Sequence, residues 1–283
     1  MGEHRLTWLD VFAAAPLQGN QLAVVHDADG LDEATMLAFT RETKLSETAF
    51  VQTAGDPQAD YRNRIFDARQ ELRFAGHPSL GAAVAVADAH GETRVTYVQQ
   101  TQAGLQPIDV TLDGDTADAS MLQEPPWFGP ELDTAETLAL VGLDPQDADP
   151  ELPIQAVGTG VPQVIAPVQA DALSRARPDY DRVEPFLDRF GAVVLYLAAC
   201  DPAARTARAR AFGHTRDMGE DPATGSAAGP LMAHLHARTG ATRVDIEQGV
   251  EIGRPSCLSC AMVGDRPRVS GRVAILVRGT LRL

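Results

Sequence analysis

The chain repeats itself once, and this internal duplication constrains the fold more than any other feature of the sequence. The segment His77-Pro78-Ser79-Leu80-Gly81-Ala82-Ala83 aligns without gaps on Asp221-Pro222-Ala223-Thr224-Gly225-Ser226-Ala227, at an offset of 144 residues. Upstream, Arg62-x-Arg64-x-Phe66 recurs as Arg208-x-Arg210-x-Phe212 at an offset of 146, and Gly19-Asn20-Gln21 is echoed by Gly160-Val161-Pro162-Gln163. Three landmarks in the same order at nearly one offset indicate two pseudo-symmetric lobes.

Each half of the chain reads as strands, then a sharp turn, then a helix. LTWLDVF, LAVVH and AFVQ are strand-like, and residues 32–43 fit a surface helix. The run LGAAVAVADAH after Gly81 is apolar nearly all round, which is typical of a buried helix that threads the middle of a sheet. SAAGPLMAHLHARTG plays the same part in the second half. Gly240 suits its C-cap, whereas Pro230 would kink the helix unless it lies in the first turn.

These patterns predict an α+β fold of two lobes, each with a helix that threads the middle of its sheet. Residues 118–135, with Pro125-Pro126 and Pro130, have the composition of a connection between lobes. We therefore expect an N-terminal lobe over 1–120 and a C-terminal lobe over 130–270. The last strands, 270–283, could complete either lobe, and the N-terminal lobe is the candidate.

The two repeated turns are the first candidate site. A Pro-x-x-Gly turn that opens a helix lets backbone amides approach a ligand, with the positive helix end behind them. One such turn could be an ordinary strand-to-helix connection. Two of them across a pseudo-dyad would bring both helix N-termini to one cleft, where a carboxylate fits. His77 and Asp221 are equivalent in the aligned repeat, so we expect them to face one another as an acid/base or substrate-orienting pair.

Glu47 is the second candidate. Strand alternation through Leu45-Ser46-Glu47-Thr48-Ala49-Phe50-Val51 would place this carboxylate on an apolar face. Desolvation there would raise its pKa, which is what a general acid/base needs near neutral pH. If the alternation slips by one residue, Glu47 is instead a solvated charge at a sheet edge.

Five segments of the chain, in order, resemble the signature segments of the PhzF-like proteins of phenazine biosynthesis. They are LDVFAAAPLQGNQLAVV, LSETAFV, ELRFAGHPSLGAA, GEDPATGSAAGPL and EQGVEIGRPS, and they span residues 9–256. The resemblance implies the diaminopimelate-epimerase-like fold, in which each of two lobes is a curled sheet around a central helix. It also implies an isomerase that moves a proton within a dihydro-hydroxyanthranilate-type substrate without metal or cofactor. This chain departs from the family pattern at two positions. It has Pro230 within the second helix, and it has Gln21 at a position where proline is usual.

The resemblance also implies roles for individual residues. Glu47 would be the proton carrier, and His77 and Asp221 would orient the substrate and assist. Ser46, Gly76, Gly225 and Ser226 match positions that line the pocket. A homodimer is a further expectation from the family.

Two alternatives to this isomerase are an epimerase that uses carboxylates and a non-catalytic protein that binds a small metabolite. Epimerases of the same fold use two thiols, one at each repeated turn, and this chain has no cysteine in either. Cys257-x-x-Cys260 lacks a second pair, and His234-x-His236 would point its rings to different sides of a helix. Buried small hydrophobes are therefore the preferred interpretation of these cysteines, and we expect no metal.

The composition limits the classes of partner and cofactor that we expect for this protein. Acidic residues number 39 against 24 basic ones, a net charge of −15, which argues against nucleic acid. No apolar run approaches the roughly 20 residues that span a bilayer, and MGEHRLTWLDVF does not resemble a signal peptide. Lys44 is the only lysine, so a Schiff-base mechanism would have to use it. We expect a cytoplasmic enzyme without cofactor, acting on a small carboxylate, with Trp127-Phe128 packed back onto the core.

Overall fold

The computed structural model describes residues 2–213, 216 and 218–283. The chain divides into two compact units, Met1–Leu122 with Ser270–Leu283 and Gln123–Val269, called here the first and the second unit. Within the described residues, no helix has both the length and the apolar character needed to cross a membrane.

The strands and helices follow one another in the order that the sequence suggests. The strands are β1 (Glu3–Val11), β2 (Asn20–Val25), β3 (Thr48–Gln52), β4 (Tyr61–Phe66), β5 (Glu71–Leu72), β6 (Arg94–Thr101), β7 (Gly104–Asp113), β8 (Thr116–Leu122), β9 (Trp127–Glu131), β10 (Gln155–Gly158), β11 (Pro162–Pro167), β12 (Val194–Asp201), β13 (Thr206–Gly213), β14 (Glu220–Asp221), β15 (Arg243–Gln248), β16 (Ser256–Val263) and β17 (Arg266–Arg282). The α-helices are α1 (Glu33–Thr43), α2 (Gly76–His90), α3 (Thr134–Ala139), α4 (Ala170–Arg175), α5 (Tyr180–Asp188) and α6 (Gly225–Thr239).

The order of strand pairing is the same in the two units, so the duplication seen in the sequence is present in the structure. In the first unit β1–β2 is antiparallel, β2–β3 parallel, β3–β4 antiparallel, β4–β6 parallel and β6–β7 antiparallel. In the second unit β10–β11, β11–β12, β12–β13, β13–β15 and β15–β16 repeat these orientations in turn. β17 pairs with both β1 and β8, which closes the strands of the first unit on themselves.

A central helix lies inside the sheet of each unit, as predicted. In α2 every residue from Gly76 to Ala87 is buried, and the helix packs against β1–β4 and β6–β8. Small side chains allow this enclosure: a Cβ on Gly81 would lie 2.5 Å from Leu22 Cδ2 and 2.8 Å from Leu9 Cδ1. Helix α6 packs in the same way against β10, β11, β15 and β16. Gly240, with φ +74°, caps its C-terminus as expected.

The alignment of His77 with Asp221 is wrong. His77 is the second residue of α2, whereas Asp221 lies in β14, four positions before α6 begins. In both units three residues separate the short strand from the helix, so the structural offset is 149 residues. By that offset the counterpart of His77 is Ser226. The Pro-x-x-Gly match is coincidental because Pro78 lies in the first turn of α2, whereas Pro222 precedes α6.

The repeated arginine motif does mark equivalent positions. Arg64 of β4 makes a bidentate ion pair with Glu71 of β5, with N–O distances of 2.9 and 2.6 Å. Arg210 of β13 makes the same pair with Glu220 of β14, at 2.9 and 2.7 Å. Each guanidinium also lies about 5 Å from the ring of the phenylalanine two residues further on. These pairs fix both short strands that lead into the central helices.

Pro230 is the sixth residue of α6 and is buried, so it lies beyond the first turn, and the Ser226 carbonyl receives no backbone hydrogen bond from it. One other expectation fails. Trp127 and Phe128 are 51% and 40% exposed on β9, so they do not pack back onto the core.

Candidate functional site

Glu47 is the residue immediately before β3, in the connection from α1. The expected strand therefore begins later than predicted, at Thr48, and alternation does not determine the environment of Glu47. Lys44 ends α1 in a left-handed conformation with φ +55°, which reverses the chain. The amide of Leu45 then donates to Thr43 Oγ1 at 3.3 Å, and this turn places the Glu47 side chain in the interior.

The Glu47 carboxyl is largely desolvated and lies beside an imidazole. Its side chain is 17% exposed, and Oε2 lies 3.5 Å from Nε2 of His77. Burial raises the pKa of Glu47 to about 7; a hydrogen bond from Ser46 opposes the rise, and the negative charge of Asp67 adds to it. A carboxyl group with this pKa can both accept and release a proton near neutral pH.

His77 is held from its other ring nitrogen. It lies in the first turn of α2, with 5% of its surface exposed. Its Nδ1 lies 3.2 Å from Nδ2 of Asn20, which is the first residue of β2 and is itself buried. Ser46 Oγ donates to Asn20 Oδ1 at 3.5 Å. Four side chains from three separate segments thus meet in the first unit: Asn20, Ser46, Glu47 and His77.

Asp221, in the second unit, is held by a chain of hydrogen bonds. Thr224 Oγ1 donates to its Oδ2 at 2.6 Å. The buried side chain of Gln248 donates to the Asp221 carbonyl at 2.8 Å and to Thr224 Oγ1 at 2.9 Å. Tyr196 donates its hydroxyl to Gln248 Oε1 at 2.9 Å. The carboxylate is therefore oriented by groups from β12, β15 and the loop before α6.

Gly225 and Ser226 form the first turn of α6. Gln123 Nε2 donates to the Gly225 carbonyl at 2.9 Å, and Thr159 Oγ1 donates to Gln123 Oε1 at 2.6 Å. Gln163 Nε2 donates to Ser226 Oγ at 3.4 Å. The side chains of the N-cap residues, Ala75 of α2 and Thr224 of α6, do not cap these helices. First-turn amides of such helices suit an anionic group.

The predicted residues thus form two groups, with Ser46, Glu47, Gly76 and His77 in the first unit and Asp221, Gly225 and Ser226 in the second. That they line a single cleft stays a prediction. Two cavities, of about 490 and 460 Å³, lie elsewhere and include none of these residues. The larger is in the second unit, and the other lies in the first unit beside the C-terminal end of α2.

The cysteines lie on strands and not at the start of either central helix. Cys260 is buried, as expected, but Cys257 is exposed, so the preferred interpretation holds for only one residue of the pair. Among the described residues, no group of three or more His, Cys, Asp or Glu side chains is placed to hold a metal ion. His234 is buried and His236 exposed, so the two rings do point to different sides of α6.

Comparison with known proteins shows the family and the fold. The family model of the phenazine biosynthesis-like proteins matches residues 9–280. The trans-2,3-dihydro-3-hydroxyanthranilate isomerase of Pseudomonas fluorescens is 38% identical, over 99% of this chain and all of that protein. A solved structure from Pseudomonas aeruginosa, described as that of a predicted epimerase, is 36% identical to this chain. Its TM-score is 0.88 over 99% of both chains.

The chain belongs to the phenazine biosynthesis-like family. It is an isomerase of the PhzF type, as the signature segments predicted. The fold is confirmed as well. A hydroxyproline epimerase from Agrobacterium vitis shares it at 15% identity, with a TM-score of 0.64 over 99% of this chain and 91% of that one.

Sequence reasoning missed the residues that orient the candidate groups. Asn20 served only as a landmark of the repeat and as part of a signature segment, although its position at the start of a strand, after Gly19, was a usable signal. Gln248 and Tyr196 were missed because nothing in their local sequence shows that Tyr196 meets Gln248 or that Gln248 meets Thr224.

Proposed function

We propose that this PhzF-type isomerase moves a proton within a small carboxylate-bearing metabolite, with Glu47 as the proton carrier. The observation that carries the proposal is the buried Glu47 carboxyl, whose pKa is raised to about 7 beside His77. In this proposal His77 and Asp221 orient the polar groups of the substrate.

The reaction needs one group that works in both directions. As a carboxylate, Glu47 takes a proton from a substrate carbon, and the electron pair of the broken C–H bond moves into the conjugated system of the substrate. As a carboxylic acid, Glu47 then returns the proton to a different carbon, where a new C–H bond forms. Substrate and product have equal mass, and Glu47 is regenerated. General acid/base catalysis of this kind contributes about 10²–10⁴-fold.

The first turns of α2 and α6 are the proposed positions for the substrate carboxylate. Gly76 and Gly225 begin these helices, and Ser226 adds a hydroxyl next to the second one. Glycine at the first position allows an oxygen to approach the backbone amides closely, and the positive helix end favours its negative charge.

The substrate class follows from the relatives, three of which are named trans-2,3-dihydro-3-hydroxyanthranilate isomerase at 36–38% identity. We propose a cyclic amino acid of that type, with an acidic C–H bond next to a conjugated system. We propose further that the reaction requires no cofactor and that the enzyme is a cytoplasmic homodimer. Sedimentation equilibrium and cell fractionation test the last two points.

The decisive experiment follows the proton. The protein is incubated in D₂O with trans-2,3-dihydro-3-hydroxyanthranilate and with related cyclic and acyclic amino and hydroxy acids, and products are analysed by NMR and mass spectrometry. We expect an isomer of unchanged mass in H₂O that gains up to one deuterium in D₂O, with no effect of EDTA. Deuterium exchange at a single carbon with inversion would indicate an epimerase. Tight binding with neither isomerisation nor deuterium exchange at any carbon would indicate a metabolite-binding protein.

A further inference from the structure

The backbone directly before Asn20 has a conformation that requires glycine. Gly19, directly before it, has φ +72°, and a Cβ there would lie 2.4 Å from the Val11 carbonyl oxygen. Only glycine fits this close approach of two strand ends. The chain then enters β2 with the Asn20 side chain buried, and its Nδ2 lies 3.2 Å from Nδ1 of His77.

The amide of Asn20 has a polarity that the ring of His77 must match. An amide nitrogen carries two N–H groups and offers no lone pair, so it can only donate to Nδ1. The amide oxygen points the other way, and Asn20 Oδ1 lies 3.5 Å from Ser46 Oγ. A neutral imidazole that accepts at Nδ1 carries its proton on Nε2.

The Glu47 carboxyl selects the same tautomer from the opposite side of the ring. Its Oε2 lies 3.5 Å from Nε2, and the side chains of His77 and Glu47 are 6% and 17% exposed. An ionised carboxylate would repel a bare lone pair on Nε2, with little water to screen the repulsion. With the proton on Nε2 the same contact is attractive, whether Glu47 is ionised or presents its carbonyl oxygen.

We propose that Asn20 is a positioning residue that holds His77 as the Nε2–H tautomer, so that the imidazole donates toward Glu47 and cannot accept its proton. The inference rests on the proposed role of Glu47 and deepens it. With Nδ1 occupied by the Asn20 amide and Nε2 already protonated, the proton on Glu47 passes to substrate carbon and not to the neighbouring ring.

The test compares two substitutions that reverse the polarity of a buried asparagine. Asn20→Asp replaces the donor with an acceptor of the same shape, so that Nδ1 of His77 must carry a proton. Asn63→Asp is the matched control, because Asn63 is also buried in the first unit but donates to Gln99 Oε1 at 3.1 Å. The protein is labelled with ¹⁵N-histidine, and long-range ¹H–¹⁵N spectra are recorded at pH 8. The His77 signals among the seven histidines are assigned from a His77→Gln variant.

We expect His77 of the unmodified protein to show a protonated Nε2 and an unprotonated Nδ1, and Asn63→Asp to retain this pattern. Asn20→Asp should show a protonated Nδ1 and lower kcat by at least about tenfold, with KM changed much less. A protonated Nδ1 in the unmodified protein overturns the inference. Because this result comes from the spectrum of the unmodified protein, it tests the inference even if Asn20→Asp does not fold. Unchanged His77 signals in folded Asn20→Asp also overturn it. The expected tautomers in a protein that isomerises none of the tested acids would support the inference and count against the proposed function.

Discussion

Glu47 Oε2 and His77 Nε2 lie 3.5 Å apart, at the outer limit of a hydrogen bond, with both side chains largely removed from water. Glu47 comes from the loop before β3, and His77 comes from the first turn of α2. Catalytic contacts are often long in a free enzyme and shorten when substrate binds. The raised pKa of Glu47, about 7, makes this pair a source of measurable pH dependence.

Glu47→Gln should remove activity and increase stability at high pH. The folded-state pKa, about 7, exceeds the ordinary value of 4.5, so the native protein binds more protons than the unfolded chain between these pH values. Stability from this group is present below about pH 4.5 and is lost as pH rises to about 7. At pH 8 the variant should be more stable, by at most about 3 kcal/mol. At pH 4 the difference should vanish.

Urea unfolding from pH 4 to pH 8 measures this difference. Glu42→Gln is the control, because Glu42 is an exposed glutamate of α1, and its stability difference should be close to zero at every pH. A Glu47→Gln protein that is less stable at pH 8, or that retains turnover on a verified substrate, contradicts the proposed proton carrier.

Glu220→Gln and Glu71→Gln should both destabilise the protein, because each removes the carboxylate that pairs two-fold with a largely buried guanidinium. Without Glu71, Arg64 retains only the exposed Glu33, at 3.3 Å. Arg210 and Glu220 are 6% and 10% exposed, and Arg64 and Glu71 are 13% and 10% exposed. Breaking such a pair costs about 3–5 kcal/mol, and Arg210 should be at the low end because it also donates to the Leu173 and Ala176 carbonyls.

Thermal and urea unfolding of these variants can be compared with Glu3→Gln. The Glu3–Arg282 pair is mostly exposed, at 64% and 71%, and its loss should change stability by less than about 1 kcal/mol. Equal small effects for all three substitutions would show that the two inner pairs do not hold β5 and β14 in place.

Gly229→Ala should disturb the first turn of α6 although it lies one turn away. A Cβ at this position would come within 1.8 Å of Gln123 Oε1, so the Gln123 side chain must move. That movement removes its hydrogen bond to the Gly225 carbonyl. We expect a net loss of about 1–3 kcal/mol despite the better helix propensity of alanine. Gly30→Ala, where a Cβ would meet nothing within 4 Å, is the control. A stabilised Gly229→Ala protein would show that the Gln123 side chain can adopt another conformation without loss of stability.

The sequence was sufficient for the architecture because the evidence for it is local and repeated. Two apolar helices, the alternating strands and the Arg-x-Phe landmarks each require only a short window. The alignment of His77 with Asp221 failed for the same reason, since three matching letters in a short window do not distinguish a helix turn from a loop. Only the strand register, with Glu71 opposite Phe66 and Glu220 opposite Phe212, sets the true offset.

The environment of Glu47 was only partly predictable. A buried carboxylate was expected, but from strand alternation, whereas the structure buries it at the end of a loop. Asn20 and Gln248 act through contacts with residues 57 and 24 positions away, and no periodicity reports such contacts. Residues that orient catalytic groups are therefore found from three-dimensional neighbours, and motifs identify only the groups they orient.

Ser46→Ala and Asp67→Asn should shift the pH dependence of the reaction in opposite directions. If Glu47 must be ionised to take the first proton, kcat/KM falls as pH drops below about 7, the raised pKa of that carboxyl. The Ser46 hydrogen bond lowers the pKa of Glu47, so its removal should move the acidic limb to higher pH. The charge of Asp67 raises that pKa, so Asp67→Asn should move the limb to lower pH. Asparagine keeps the carbonyl oxygen that accepts the Arg69 and Gln70 amides, so the loop should hold. The limb position of kcat/KM on a verified substrate is the readout, because the height of the profile also reports the loss of the Ser46–Asn20 contact. Shifts of the same sign in both variants, or a limb that moves in neither, would assign the first proton transfer to a group other than Glu47.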